Sequence, residues 1–138
     1  MQKIEWKDSF SVGNDRMDQQ HIKLIDMINS MIENSDNVNL VENTVQGMID
    51  YACYHFIDEE THLEDNDYPQ LNNQKTQHEY FIDNARQLYT QFATDCDNIE
   101  MDKILGFLST WWTNHILDED MKYKEYFESK NLQSLGAR

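Results

Sequence analysis

Apolar positions recur every three to four residues through most of the chain, and three short polar runs interrupt them. That spacing marks amphipathic helices rather than strands, and it predicts four. The first runs from about Asp18 to Glu33, with His21, Leu24, Ile25, Ile28, Met31 and Ile32 on one stripe. The second runs from about Leu40 to Glu64, with Val41, Val45, Met48, Ile49, Ala52, His55, Phe56, Glu59, His62 and Leu63. The third covers about 70–94 and follows Pro69, a residue tolerated at a helix start. It carries Leu71, Gln74, His78, Phe81, Ile82, Ala85, Leu88, Tyr89 and Phe92. The fourth covers about 98–127, with Asp97 as cap and Glu100 as its capping-box partner. Its stripe is Met101, Ile104, Leu105, Leu108, Trp111, Trp112, His115 and Ile116. The connections SDNVN, DNDYPQ and TDCDN are short, which makes consecutive helices antiparallel neighbours. The expected architecture is all-α: an up-down-up-down antiparallel four-helix bundle. Residues 1–17 form a non-helical arm whose Trp6, Phe10 and Val12 can pack along it.

Composition agrees with this reading and narrows the partners. The chain has 138 residues with four Gly and one Pro, one domain's worth, and enough to bury a core without disulfide staples. A net charge of −15, from 26 acids against 11 Lys and Arg, repels nucleic acid and anionic membrane surfaces. No run approaches the ~20 apolar residues of a membrane helix. The start, MQKIEWKDSF, lacks the apolar core of a secretory signal, so the expected address is the cytoplasm. Cys53 and Cys96 form no CxxC and no dense pattern, which argues against a disulfide framework or zinc knuckle. Both are expected to be small buried or half-buried thiols.

The stripes carry residues that a helix core ordinarily rejects. In YHFIDEETHLED, residues 54–65, His55, Glu59 and His62 stand at i, i+4 and i+7, within about 60° of one another around the helix. They share the face of Val45, Ala52 and Phe56. His21 aligns with Leu24, Ile25 and Ile28; His78 with Phe81 and Ile82; His115 with Leu108, Trp111 and Trp112. All five histidines of the chain thus fall on inward faces, spread over four helices. An unpartnered buried polar group costs a few kcal/mol, and an unpaired carboxylate more. A single inward histidine is commonly a hydrogen-bonded core residue. Five that converge with Glu59 are better satisfied by a cation, since neutral imidazoles and carboxylates are metal ligands. The set is too large for one tetrahedral zinc. Mixed imidazole and carboxylate donors suit iron or manganese, and a bridging carboxylate suits a pair of ions.

The pieces W-x3-F-x-V-G at 6–13, D-x2-H at 18–21, H-F-x2-E-E at 55–60, Y-P at 68–69, H-x2-F at 78–81 and W-x2-H-I-x3-D-x2-Y at 112–123 occur in that order. In them the chain resembles the bacteriohemerythrins, single-domain relatives of the non-haem oxygen carrier hemerythrin. The resemblance spans nearly the whole chain as one hemerythrin-like domain, 1–138. It implies a four-helix bundle around two iron ions with an oxo or hydroxo bridge, held by five histidines, a Glu and an Asp. His21 and His55 would hold the iron that binds O2, Glu59 and Asp120 would bridge, and His78 and His115 would hold the second iron. Two positions depart from a simple fit. His115 and Asp120 are five apart, ~140° around an ideal helix, where Glu119 would align better. Asp120 serves only if the helix loosens locally, for instance by a π-bulge. The family's third helix also normally carries H-x3-H, which would place histidines at 74 and 78, and this chain has Gln74. One expectation is that His62, on the face of His55 and Glu59, supplies the missing imidazole. The alternative is that Gln74 or water completes the second iron.

Leu24, Phe56, Leu63, Trp111 and Ile116 are candidates for a dry O2 pocket, although they would be core residues in any bundle. No Ser-His-Asp set, glycine-rich phosphate loop or redox CxxC appears, so a binding protein is expected rather than an enzyme. The implied function is reversible O2 binding for storage, delivery or sensing. The alternatives are a di-iron oxidoreductase acting on peroxide or nitric oxide, and an iron-handling protein. No protein partner is indicated.

Overall fold

The computed structural model describes residues 1–95 and 97–130. The helices are α1 (Asp15–Glu33), α2 (Val38–Asp65), α3 (Leu71–Thr94), α4 (Asn98–His115) and α5 (Met121–Ser129). α4 and α5 form one rod, joined without a loop by a π-helical turn at Ile116–Asp120. Each of the four rods packs against the two that flank it, which gives the four-helix bundle read from the pattern. Cys53 is a half-buried free thiol, and Cys96 lies outside the described residues. Among the described residues, no helix is long and apolar enough to cross a membrane.

Local chemistry explains the helix ends. α1 begins three residues before the expected Asp18 because the Asn14 side chain accepts from Met17 N, an N-cap contact. Asn37 does the same for Leu40 N and Asp97 for Glu100 N. Asp18, part of the D-x2-H piece, fastens the arm: its carboxylate accepts from Ser11 Oγ at 2.6 Å and from Val12 N at 2.9 Å. The chain reaches that anchor through Gly13, whose φ of 79° suits a residue without Cβ. The arm is non-helical apart from one 3₁₀ turn at Asp8–Phe10, and it buries Phe10 and Val12.

Two apolar clusters lie along the bundle and leave a polar layer between them. The larger runs from Leu24, Phe56, Phe81, Trp112 and Ile116 through the rest of the core. The smaller holds Val12, Met17, Leu63, Tyr68, Tyr123 and Phe127 at one end. On α1, His21 stands between Met17 of one cluster and Leu24 of the other. On α2, Glu59 stands between Phe56 and Leu63; on α3, Gln74 and His78 stand between Leu71 and Phe81; on the last rod, Glu119 and Asp120 stand between Ile116 and Tyr123. Every rod contributes to this layer at one level.

Candidate metal centre

Four histidines and two carboxylates meet in the polar layer, each at most 3 % exposed. They form two groups. His21 Nε2 lies 3.3 Å from Asp120 Oδ2 and 3.7 Å from Glu59 Oε2, and His55 Nε2 lies 3.6 Å from Glu59 Oε2. His78 Nε2 lies 3.2 Å from Glu59 Oε1, and His115 Nε2 lies 3.2 Å from Asp120 Oδ1. Each carboxylate therefore turns one oxygen to each histidine pair. His21, His55 and Glu59 are close enough to share one ion, and so are Glu59, His78 and His115.

The π-helical turn is what brings Asp120 in. Five residues separate it from His115, and hydrogen bonds that reach i+5 insert one extra residue into the turn. Asp120 becomes fully buried beside His115, while Glu119 turns aside to Lys122 at 2.7 Å.

Three of the four rings are oriented from behind. Gln20 Nε2 donates to Asp58 Oδ2 at 2.8 Å, so its carbonyl oxygen is the atom that meets His55 Nδ1, at 2.5 Å. Asp58 is in turn held by Arg16 at 2.8 Å. His115 Nδ1 donates to Gln77 Oε1 at 2.9 Å, and His78 Nδ1 to Glu60 Oε2 at 2.7 Å. A ring that donates from Nδ1 presents a lone pair at Nε2 when neutral, the form a metal ligand needs. Tyr123 OH donates to Glu59 Oε2 at 2.9 Å. Aromatic faces close the walls: Phe56 stacks on His78 with centroids 3.9 Å apart and Trp111 on His115 at 4.4 Å, while Trp112 lies 5.8 Å from His55.

Among the described residues, the inward atoms themselves have no hydrogen-bond partner: Nε2 of His21, His55, His78 and His115, Glu59 Oε1 and Asp120 Oδ2. Buried polar atoms are rarely left so, at ~1–3 kcal/mol each. Orphans that are all lone-pair donors and point at two centres fit a pair of cations. Without cations, the carboxylates recruit protons. Burial works against a charged His21, but the close approach and charge of Asp120 and Glu59 prevail and raise it to about 10. His78 is raised to about 9, again against burial, by Glu59 and Glu60. His55 goes the other way: burial lowers it to about 3. Asp120 is held down to about 2, where burial and the Glu59 charge are outweighed by His115 and His21. Two imidazoliums thus face two carboxylates.

His62 does not join this layer, contrary to the sequence expectation. Its side chain is 22 % exposed, with Nε2 3.8 Å from Asp58 Oδ1 and 3.4 Å from Arg16. On α2 the inward direction lies between Glu59 and Phe56. His62 leans ~75° to the α1 side and stands two turns beyond His55, ~10 Å along the axis. Gln74 is fully buried in the layer instead; its Nε2 donates to Asp120 Oδ1 at 3.0 Å and lies 3.4 Å from Glu119 O. The five apolar pocket candidates also divide. Leu24, Phe56 and Ile116 belong to the larger cluster with Trp111 packed against it, whereas Leu63 belongs to the smaller cluster on the far side of the layer. Sequence reasoning gave no role to Gln20, Glu60, Gln77, Trp112 or Tyr123. Their signal was weak: Glu60 and Tyr123 sit inside quoted motifs, while Gln20 and Gln77 merely precede inward histidines.

The fold and site define a cation-binding four-helix bundle. A family model described as "Hemerythrin HHE cation binding domain" matches residues 12–127, and the chain belongs to that family. It is 28% identical over 124 residues to a bacteriohemerythrin of Clostridium acetobutylicum, covering 86% of this chain and 96% of that one. It is 31% identical to a bacteriohemerythrin of Stenotrophomonas maltophilia, over 88% of this chain and 80% of the relative. A solved structure of a leucine-to-phenylalanine mutant superposes with a TM-score of 0.80 at 24% identity, over 91% of this chain and 97% of that one.

Proposed function

We propose that the protein binds O2 reversibly at a non-haem di-iron centre. The observation that supports this most is the split of Glu59 and Asp120, each with one oxygen toward each histidine pair. In this reading His21 and His55 would hold the iron that meets O2, His78 and His115 would hold the other, and the two carboxylates would bridge. When bound, a reduced iron pair supplies the two electrons that O2 binding takes and release returns. The chain does the rest. Gln20, Glu60 and Gln77 fix ring orientation, which governs ligand strength. Tyr123 holds one oxygen of Glu59 in place by its hydrogen bond. Leu24, Phe56, Trp112 and Ile116 keep water from the His21–His55 side, and a dry wall slows irreversible oxidation.

The test is to load the metal-free protein with ferrous iron under argon, admit O2, and follow the visible spectrum. A charge-transfer band that appears with O2 and disappears on argon sparging through several cycles is expected. Rapid bleaching to a ferric form, with turnover of added peroxide, would replace this reading with an oxidoreductase. One observation favours that second reading: a glutamine where the resemblance calls for an imidazole weakens the hold on the second iron and exposes it to exogenous ligands.

A further inference from the structure

Gln74 is the chemical oddity of the polar layer. It is fully buried on α3, one turn before His78, on the side of the His78–His115 pair. Its Nε2 donates to Asp120 Oδ1 at 3.0 Å, the oxygen that also faces His115. Its Oε1 is buried and has no partner among the described residues. An amide oxygen left in that state calls for a donor or a cation. Among the described residues no lysine or arginine donates to it, and Lys122 is committed to Glu119 at 2.7 Å. The amide can turn by 180° about its last bond at little steric cost, since its two ends differ by hydrogens alone. Oε1 then stands where Nε2 stands now, 3.0 Å from Asp120 Oδ1. Two oxygens at that separation repel each other unless a cation lies between them.

We infer that Gln74 is a ligand of the second metal ion through its side-chain carbonyl oxygen, and that it holds this ion less firmly than an imidazole in its place would. The inference rests on the di-iron reading. The His21–His55 ion has two imidazoles and two carboxylate oxygens. The His78–His115 ion has the same set plus a neutral amide oxygen. Amide oxygens are harder and weaker donors than imidazoles toward iron. The second ion therefore depends on one donor that the first does not have, and that donor is weaker than an imidazole. Glu119 is the competing donor, with a buried Oε2 that also lacks a partner, but its other oxygen is fixed by Lys122 on the outer side.

The test uses full-length protein loaded with ferrous iron under argon and challenged with a colorimetric chelator, release being followed in time beside the circular-dichroism melt of each metal-free variant. The wild type should release iron in two phases of equal amplitude. Q74L should lose one of its two ions at least ~10-fold more readily, and Q74H should hold that ion longer than the wild type. Q74E separates a ligand from a mere donor to Asp120. A carboxylate in place of the amide keeps or tightens the second ion if residue 74 is a ligand, and expels it if residue 74 only donates. E119Q should leave both phases unchanged. Two ions in Q74L released at the wild-type rates, or a second ion lost in Q74E, overturns the inference. If Q74L does not fold, Q74E and Q74H decide the matter alone. A wild type that takes up fewer than two ions overturns the di-iron reading itself, so the two failures are distinguishable.

Discussion

Glu59 and Asp120 each have two oxygens, and the layer uses all four. Glu59 Oε1 faces His78, its Oε2 faces His21 and His55, and Asp120 divides in the same way between His21 and His115. Glu59→Gln removes the charge that serves both groups, so iron uptake should fall by more than half in metal analysis rather than by one ion selectively. Tyr123→Phe removes the phenol that donates to Glu59. Buried hydrogen bonds to charged groups are worth ~1.5–3 kcal/mol, and urea unfolding of the metal-free chain should register a loss of that size. The residue scale is also where the sequence misled. The period of α2 put His62 on the face of His55, but periodicity measures angle alone. The distance beyond Glu59, and the pull of Asp58 and Arg16 at the α1 edge, are tertiary facts. Gln74 was visible as an exception; that its carbonyl would be buried and unpartnered was not.

At the scale of elements, four helices and their polar face were legible because a strong 3.6-residue period leaves little choice. Their ends were less so. Asn14, four residues before the expected start of α1, is a cap, and the arm is tied to Asp18 rather than merely laid along the bundle. Asp18→Ala should release the arm at a cost of about 1–3 kcal/mol, seen as faster proteolysis before residue 15 with the bundle intact. The π-helical turn was legible only through chemistry: five residues between two inward groups cannot be α-helical throughout. Deleting Leu117, which is exposed, should remove the extra residue and restore a regular α-helix, with the carboxylate of Asp120 then one α-turn beyond His115 and still facing the layer. Metal binding should survive that deletion, whereas one alanine inserted after Leu117 should rotate Asp120, Tyr123 and Phe127 by ~100°, so that the melting point drops and metal binding is lost while far-UV dichroism stays helical.

For the whole molecule, the charged layer between two apolar clusters links metal, protons and stability. Without metal, His21 and His78 keep their protons to about pH 10 and 9. Loading at neutral pH should therefore release about two protons, measurable by calorimetry in buffers of different ionisation enthalpy. The same shifts set the stability of the metal-free chain. Raised pKa values contribute fully below 6.5, the ordinary histidine value, and that contribution drains away as pH climbs through 9 and 10. His55, lowered to about 3, contributes fully above 6.5 and loses its contribution as pH falls toward 3. The metal-free melting point should fall on both flanks, whereas the loaded protein should lose the alkaline limb of that dependence.

Everything functional depends on two cations meeting this one layer. Equilibrium dialysis of the folded, metal-free chain against ferrous iron under argon counts them directly. Two ions per chain, with a higher melting point once bound, are expected. A folded chain that binds one ion or none, and melts at the same temperature with iron as without, would contradict it.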